Sequence, residues 1–298
     1  MPEFVRWFSA IWNHPSNKDG RWESIGRAVA WQIYKRAIRR PWDLTVFGDM
    51  RLRCYPNSIW AGLMIYYRER PEYHEMSFVR RYLRPGDCFV DVGANIGVYS
   101  LLAASVVGDK GCVHAFEPSP TAAARLRENV SLNRLANVEV HKVAVGALEG
   151  QIQFATGTDV TDHVAPTSEL DEGGSEPGVI HVESTRLDTA LAGVKVALVK
   201  IDIEGAELDA FRGAEALLRS RNPAVWQFEL KDHLLRRYGV VPHEVGGYLA
   251  SFGYDLAYWN ADTSTLVFDD HAWRARGDVL AIARDHRHRI VQRLRGES

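Results

Sequence analysis

The stretch Cys88-Phe89-Val90-Asp91-Val92-Gly93-Ala94-Asn95-Ile96-Gly97-Val98-Tyr99-Ser100 decides the fold. An apolar, β-branched run ends in a small-residue turn and opens at once into the apolar segment Leu101 to Val107, the pattern of strand, tight turn and helix. Elbows of this kind seat nucleotide cofactors in α/β sheets. Gly93 and Gly97 let the backbone pass close to a ligand, and Asn95 is a residue type that tolerates a left-handed turn. The spacing selects among cofactors. A dinucleotide fold uses G-x-G-x-x-G to set a pyrophosphate on the helix N-terminus, whereas here the glycines fall as G-x-x-x-G behind the acid Asp91. A carboxylate aimed at the ligand suits an ammonium better than a phosphate. A bare strand-to-helix turn is the alternative, and the segments that follow argue against it.

Gly111 to Phe116 reads as a second buried strand that ends in Glu117-Pro118. Glu117 lies 24 positions beyond Gly93, near the offset at which a dinucleotide fold places its ribose-binding acid, and a carboxylate accepts hydrogen bonds from two ribose hydroxyls whichever nucleoside carries them. The same residue also reads as an acid favoured at a helix N-terminus. A third strand, Val138 to Val145, ends in Ala144-Val145-Gly146, where small residues leave room for a flat ring such as adenine. The alternation then breaks between Gly150 and Asp188. Gln151 to Ala155 and Val179 to Ser184 read as strands joined by the long polar loop Thr156 to Gly178, of the sort that closes over substrates. It carries Asp162-His163, and a neutral imidazole at His163 can take a hydroxyl proton; a solvated loop histidine is the plainer reading.

A fourth buried strand, Val194 to Ile203, runs into Asp202-Ile203-Glu204-Gly205-Ala206-Glu207. Carboxylates crowded at one strand end repel unless a Lys or Arg, a shifted pKa, a ligand ammonium at Asp202 or a divalent metal such as Mg2+ at Asp202 with Glu204 relieves them. Ala224 to Leu230 continues the sheet, with Glu229 at its end and Lys231-Asp232-His233 beyond; Tyr254 to Trp259 and Asp278 to Ala283 read as a last antiparallel pair. Upstream, Phe4 to Trp12 and Ile25 to Ile38 have helical spacing. The second of these is expected to turn Val29, Ile33, Ala37 and Ile38 inward, and Leu44 to Tyr55 reads as a hairpin around Gly48-Asp49. The chain therefore divides into an N-terminal, mainly helical cap (1–84) and an α/β domain (85–298) with a substrate-loop insertion at about 150–188.

A chain of 298 residues with 46% hydrophobic and 25% charged residues has ample material for a core, which excludes disorder. The net charge of -2 gives no global attraction to nucleic acid or to an anionic membrane. No run is long and apolar enough to span a bilayer and Met1 to Asn13 lacks a signal-peptide pattern, so neither nucleic acid nor an integral membrane segment enters the expected partners. Cys54, Cys88 and Cys112 lie far apart with no C-x-x-C pair, which argues against a disulfide framework or thiolate metal site and for a cytoplasmic setting. Self-association stays open.

Phe89-Val90-Asp91-Val92-Gly93-Ala94-Asn95-Ile96-Gly97, Phe116-Glu117-Pro118, Leu187-Asp188, Lys200-Ile201-Asp202-Ile203-Glu204-Gly205-Ala206-Glu207 and Gly213-Ala214 together resemble the FkbM-type family of S-adenosylmethionine-dependent methyltransferases, from about Leu83 to Ala283. The resemblance implies a Rossmann-like class I methyltransferase fold, a seven-stranded, mostly parallel sheet with an antiparallel last strand. It also implies S-adenosyl-L-methionine as cofactor and O-methylation of a hydroxyl on a sugar or other natural-product small molecule. By position, Gly93, Asn95 and Gly97 would line the methionine portion and Glu117 the ribose, with Asp91 or Asp202 facing the amino group; the placement of Ala144 at the adenine rests on the small residues there and not on the resemblance. Among possible bases His163 stands first and Glu204 second, ahead of Glu229 and His233. A carboxyl O-methyltransferase, which needs no base, an NAD(P)-dependent oxidoreductase and a non-catalytic cofactor-binding module are the competing readings.

Overall fold

The computed structural model describes residues 3–156, 163–164, 178–275 and 277–296. Helices α1 (Glu3–Asn13) and α2 (Arg21–Ala37) lead into the hairpin β1 (Trp42–Val46) and β2 (Met50–Cys54), then helices α3 (Ile59–Tyr66) and α4 (Tyr73–Tyr82). Both amphipathic segments are helical as expected, but α2 is rotated from the expected face. Ser24, Ala28 and Trp31 are buried, whereas Val29 and Ile33 are 44% and 63% exposed and Ala37 and Ile38 also face outward. Two stripes at helical spacing compete on this helix. The one that carries Trp31, with the larger area to remove from water, wins the interior.

The chain then alternates through β3 (Cys88–Val92), α5 (Val98–Val107), β4 (Cys112–Phe116), α6 (Pro120–Leu132) and β5 (Val138–His141). The strand expected to run on to Val145 stops at His141, and Ala144–Val145 (β6) belongs to a second sheet. That sheet has the order β6-β9-β7-β8, with β7 (Gly150–Ala155), β8 (His163–Val164) and β9 (Val179–Thr185); β7 and β9 are the two strands read from the sequence, and they pair antiparallel. The main sheet is completed by β10 (Leu198–Ile201), β11 (Val225–Phe228), β12 (Tyr254–Asn260), β13 (Thr265–Phe268) and β14 (Val279–Ala283), in the order β13-β12-β14-β11-β10-β3-β4-β5. β5, β4, β3, β10 and β11 are parallel, and β14 lies antiparallel between β11 and β12. These are the seven strands expected, extended at one edge by β13.

β3, β10 and β11 are buried at every position, as parallel strands covered on both faces must be. One core packs Trp31, Leu52, Met64 and Phe78 of the N-terminal elements with Phe89, Leu101, Leu198 and Leu280 of the sheet and α5. The other face gathers Val90, Val199, Ile201, Trp226 and Phe228. The chain leaves β3 for β4 on one side and returns as β10 on the other, so the strand order reverses there and opens a crevice at the carboxyl ends of the strands. Cys88 and Cys112 face each other in the β3–β4 register and are joined by a disulfide. This corrects the expectation drawn from their distance in sequence. Parallel register brings residues 24 apart side by side, and cysteine spacing does not decide the redox compartment here. Among the described residues no helix is long and apolar enough to cross a membrane.

Candidate active site

The crevice is a cleft of about 340 Å3. Asp91, Gly93, Asn95, Glu117, Ala144, His163, Asp202 and Glu204 all line it. Two of the cofactor-binding and base candidates read from the sequence do not. Gly97 caps α5 with φ of 91° and lies against α6, where a Cβ would stand 2.4 Å from Leu126 Cδ1, so its role is close packing of the elbow. His233 is exposed on the short helix Asp232–Leu235, away from the cleft. Asp162 and most of the loop around it lie outside the described residues.

The elbow consumes its own donors. Gly93 N–H and Ala94 N–H both donate to the Phe116 carbonyl at 3.0 Å, and Gly97 N–H donates to the Ala94 carbonyl at 2.8 Å. Asn95 N–H donates to Glu117 Oε2 at 2.8 Å and Ile96 N–H to Asn95 Oδ1 at 2.8 Å. Five successive amides are thus spent inside the protein. A pyrophosphate at a strand-to-helix elbow is held by such amides, so the loop suits a cofactor without one. Glu117, buried, accepts from Asn95 N–H at one oxygen and from Ser119 N–H, also at 2.8 Å, at the other. The residue lines the cleft, where its carboxylate can meet two vicinal hydroxyls.

Gly93 is fixed by its neighbours as well as by φ of +81°: a Cβ there would stand 1.9 Å from the backbone oxygen of Asp202. Gly93→Ala is expected to cost about 1–2 kcal/mol for the left-handed backbone and about 1–3 kcal/mol for forcing the loop off β10. Thermal unfolding and cofactor titration of the variant measure both losses.

Buried charge dominates the floor of the cleft. Lys200 is enclosed within β10, its Nζ 2.7 Å from Asp202 Oδ2 and 4.4 Å from the centre of the Tyr99 ring. Burial pulls its pKa down, but Asp202, Asp278, Glu72 and Asp91 more than offset that and hold it above the usual value. Asp91, buried, accepts from Ser100 Oγ at 2.7 Å; burial pushes its carboxyl up, and Lys200 and the Ser100 bond pull it back. Glu72, from the segment before α4, accepts from Tyr99 OH at 2.5 Å, and burial pushes it up to about 8. Burial also raises Glu204, with Asp202 adding to it while Lys231, Arg237 and His163 draw it down.

The carboxylates of Asp202, Glu204 and Glu229 converge within 4.8 Å, as oxygen ligands of Mg2+ would. Lys200 already pairs with Asp202 and Lys231 with Glu229, so two of the three charges are answered by the protein and the crowding does not call for an ion. Glu229 Oε2 stays buried without a hydrogen-bond partner, and burial followed by the Asp202 charge raises its carboxyl despite Lys231. Glu207 is turned away from the cleft: its Oε1 accepts Gly205 N–H at 3.1 Å and Ile203 N–H at 3.3 Å, closing the turn that presents Asp202 and Glu204. Lys200, Glu72, Tyr99 and Lys231, with Ile59, Trp60 and Leu63 of α3, are cleft residues the sequence reading did not single out. Only Lys200 left a signal, as a charge inside the apolar run of β10.

A strand order that reverses beside the glycine elbow after β3, with an acid after β4, is the Rossmann-like frame of the class I methyltransferases, whose cofactor is S-adenosyl-L-methionine. Residues 91–256 match the methyltransferase FkbM domain, and the chain belongs to the FkbM methyltransferase family. It is similar to 31-O-demethyl-FK506 methyltransferase FkbM of Streptomyces tacrolimicus, 50% identical over 79 residues that make up 26% of this chain and 30% of that protein. It is also similar to 2-O-methyltransferase NoeI of Sinorhizobium fredii (strain NBRC 101917 / NGR234), 31% identical over 157 residues, 46% of this chain and 62% of the other. The chain thus spans less than two thirds of these relatives' length. A crystal structure of methyltransferase FkbM from Methylobacillus flagellatus KT aligns over 88% of this chain and 60% of its own, at 16% identity and a TM-score of 0.43.

Proposed function

We propose that the protein is an O-methyltransferase that uses S-adenosyl-L-methionine to methylate a hydroxyl on a sugar or other natural-product small molecule. The observation that carries this reading is the continuity of one cleft, from the elbow and Glu117 to a proton-handling end built of His163, Glu204, Glu229 and Lys231. The bound cofactor supplies an electrophilic methyl on a sulfonium. The chain must then seat the cofactor, align an acceptor oxygen behind that carbon and take up the hydroxyl proton. Glu117 meets the ribose, Val143 to Val145 flank the base, and Asp91 and Asp202 face the amino group. His163 removes the proton, with Glu204 beside it to stabilise the imidazolium. The names of the two relatives both specify O-methyl transfer.

A carboxylate acceptor is disfavoured by the same geometry, because it would enter beside Asp202, Glu204 and Glu229. Nicotinamide dinucleotides are disfavoured by the spent amides of the elbow. Residues 1–84 act in this reading as a cap, with Ile59, Trp60, Leu63 and Glu72 walling the cleft. Calorimetry with S-adenosylhomocysteine and transfer of an isotopically labelled methyl to a panel of polyols and hydroxylated macrocycles test the proposal; binding to NAD in place of the methyl donor, or binding without turnover on any hydroxyl, sinks it. Glu117→Ala is expected to weaken S-adenosylhomocysteine on the order of 10- to 100-fold, the loss of one or two charge-assisted hydrogen bonds.

A further inference from the structure

A second cluster of ligating side chains lies outside the cleft, on the outer strand pair of the main sheet. In the β4–β5 register His114 sits opposite Glu139 and Phe116 opposite His141. Side chains two apart along a strand share a face, so His114, Phe116, Glu139 and His141 form one four-residue patch. His141 stacks on Phe116 with ring centres 4.4 Å apart, and the two imidazoles are nearly parallel at 17°. That stacking fixes where the ring nitrogens point. His114 Nδ1 and His141 Nε2 are 3.2 Å apart, with Glu139 Oε2 3.5 Å from the first and Glu139 Oε1 3.8 Å from the second.

A shared proton accounts for the 3.2 Å pair alone. It leaves the carboxylate beyond hydrogen-bond reach of both rings. One ligand atom from each of the three side chains lies within 4.8 Å of the other two, which lets them share one ion about 2.0–2.2 Å from each, the bond length of imidazole and carboxylate on zinc. The two histidines supply imidazole nitrogens, the ligand type that zinc-class ions take. Their side chains are 14% and 22% exposed while Glu139 is 65% exposed, so the nitrogens are held in the wall and the carboxylate leaves a path from solvent.

We propose that His114, Glu139 and His141 form a binding site for a borderline divalent transition metal of the zinc class, with water completing the coordination. Two imidazoles exclude Mg2+ and Ca2+ as the preferred occupants. The ion would tie edge strand β5 to β4 beside the cofactor acid, because Glu117 N–H donates to the His141 carbonyl at 3.0 Å.

The test uses full-length protein dialysed against chelator, with no cofactor added, titrated calorimetrically with Zn2+ and spectroscopically with Co2+. One equivalent is expected to bind, with visible Co2+ bands of low-coordinate symmetry and a rise in Tm on adding Zn2+. Glu139→Gln, exposed and therefore harmless to folding, and His141→Asn are each expected to weaken Zn2+ at least 10- to 100-fold, what loss of even an outer-shell partner costs at such sites. Absence of binding overturns the proposal. Binding that Glu139→Gln leaves unchanged overturns it equally, since the ion then sits elsewhere. Neither result depends on whether the protein transfers methyl groups.

Discussion

Lys200→Met should destabilise the fold by about 3–5 kcal/mol, because removing one partner of a buried ion pair leaves the other charges without an answer. The cost is concentrated here because one ammonium serves several acids: Lys200 contacts Asp202 directly and lowers the pKa of Asp91, Glu72 and Asp278. The loss should depend on pH in a defined sense. Glu72 is raised in the folded protein from 4.5 to about 8, so its contribution to stability is fully present below 4.5 and is lost as pH rises through about 8. Without Lys200 the raised carboxyls rise further, and protonation lets the folded state tolerate them. Denaturant unfolding at pH 5 and pH 8 should therefore show the variant's deficit growing toward pH 8. A deficit under 1 kcal/mol at pH 8 would mean that the cluster is already neutral or wet and that Lys200 is not its counter-charge.

The parts of this arrangement that were legible in the sequence share one property: their physics is local. Asp91 to Gly97 reads as a strand, a left-handed turn and a helix within a dozen residues, and the structure gives Gly93 and Asn95 positive φ. The acid after β4 and the acids after β10 follow because strand ends in an α/β sheet converge on one edge. What was illegible depends on which distant element packs where. No pattern in residues 59–72 tells that Trp60 and Glu72 reach the cleft, since that follows from α3 and α4 sharing a core with the sheet. The inverted face of α2 is a tie between two stripes that only the neighbour of Trp31 breaks. The kink that divides Val138 to Val145 between two sheets, and the pairing of Cys88 with Cys112, are consequences of register. Lys200 is the instructive miss: a lysine between Val199 and Ile201 violates the apolar run of a buried strand, and such violations mark the places where a site is being built.

His163→Ala is expected to lower kcat for an alcohol acceptor by about 10²- to 10⁴-fold, the range for loss of a general base, with S-adenosylhomocysteine affinity unchanged. The expectation rests on position. His163 belongs to the two-residue strand β8, paired with Ala155 of β7, which places its imidazole in the cleft wall near Glu204. Glu204→Gln should cost less, because it supports the imidazolium through charge and leaves the base in place. A drop in rate alone would not separate proton removal from loss of acceptor contacts, so the acidity of the acceptor supplies the discriminating readout. An alcohol must lose its proton as the oxygen attacks, whereas a phenol that is already ionised at the assay pH brings its own nucleophile. If His163 acts as base, the defect of His163→Ala should shrink steadily along a series of increasingly acidic hydroxyls and nearly vanish for the ionised phenol. An equal defect across that series would assign His163 to acceptor binding and move the search for the base to Glu204, whose carboxyl burial raises above its ordinary value.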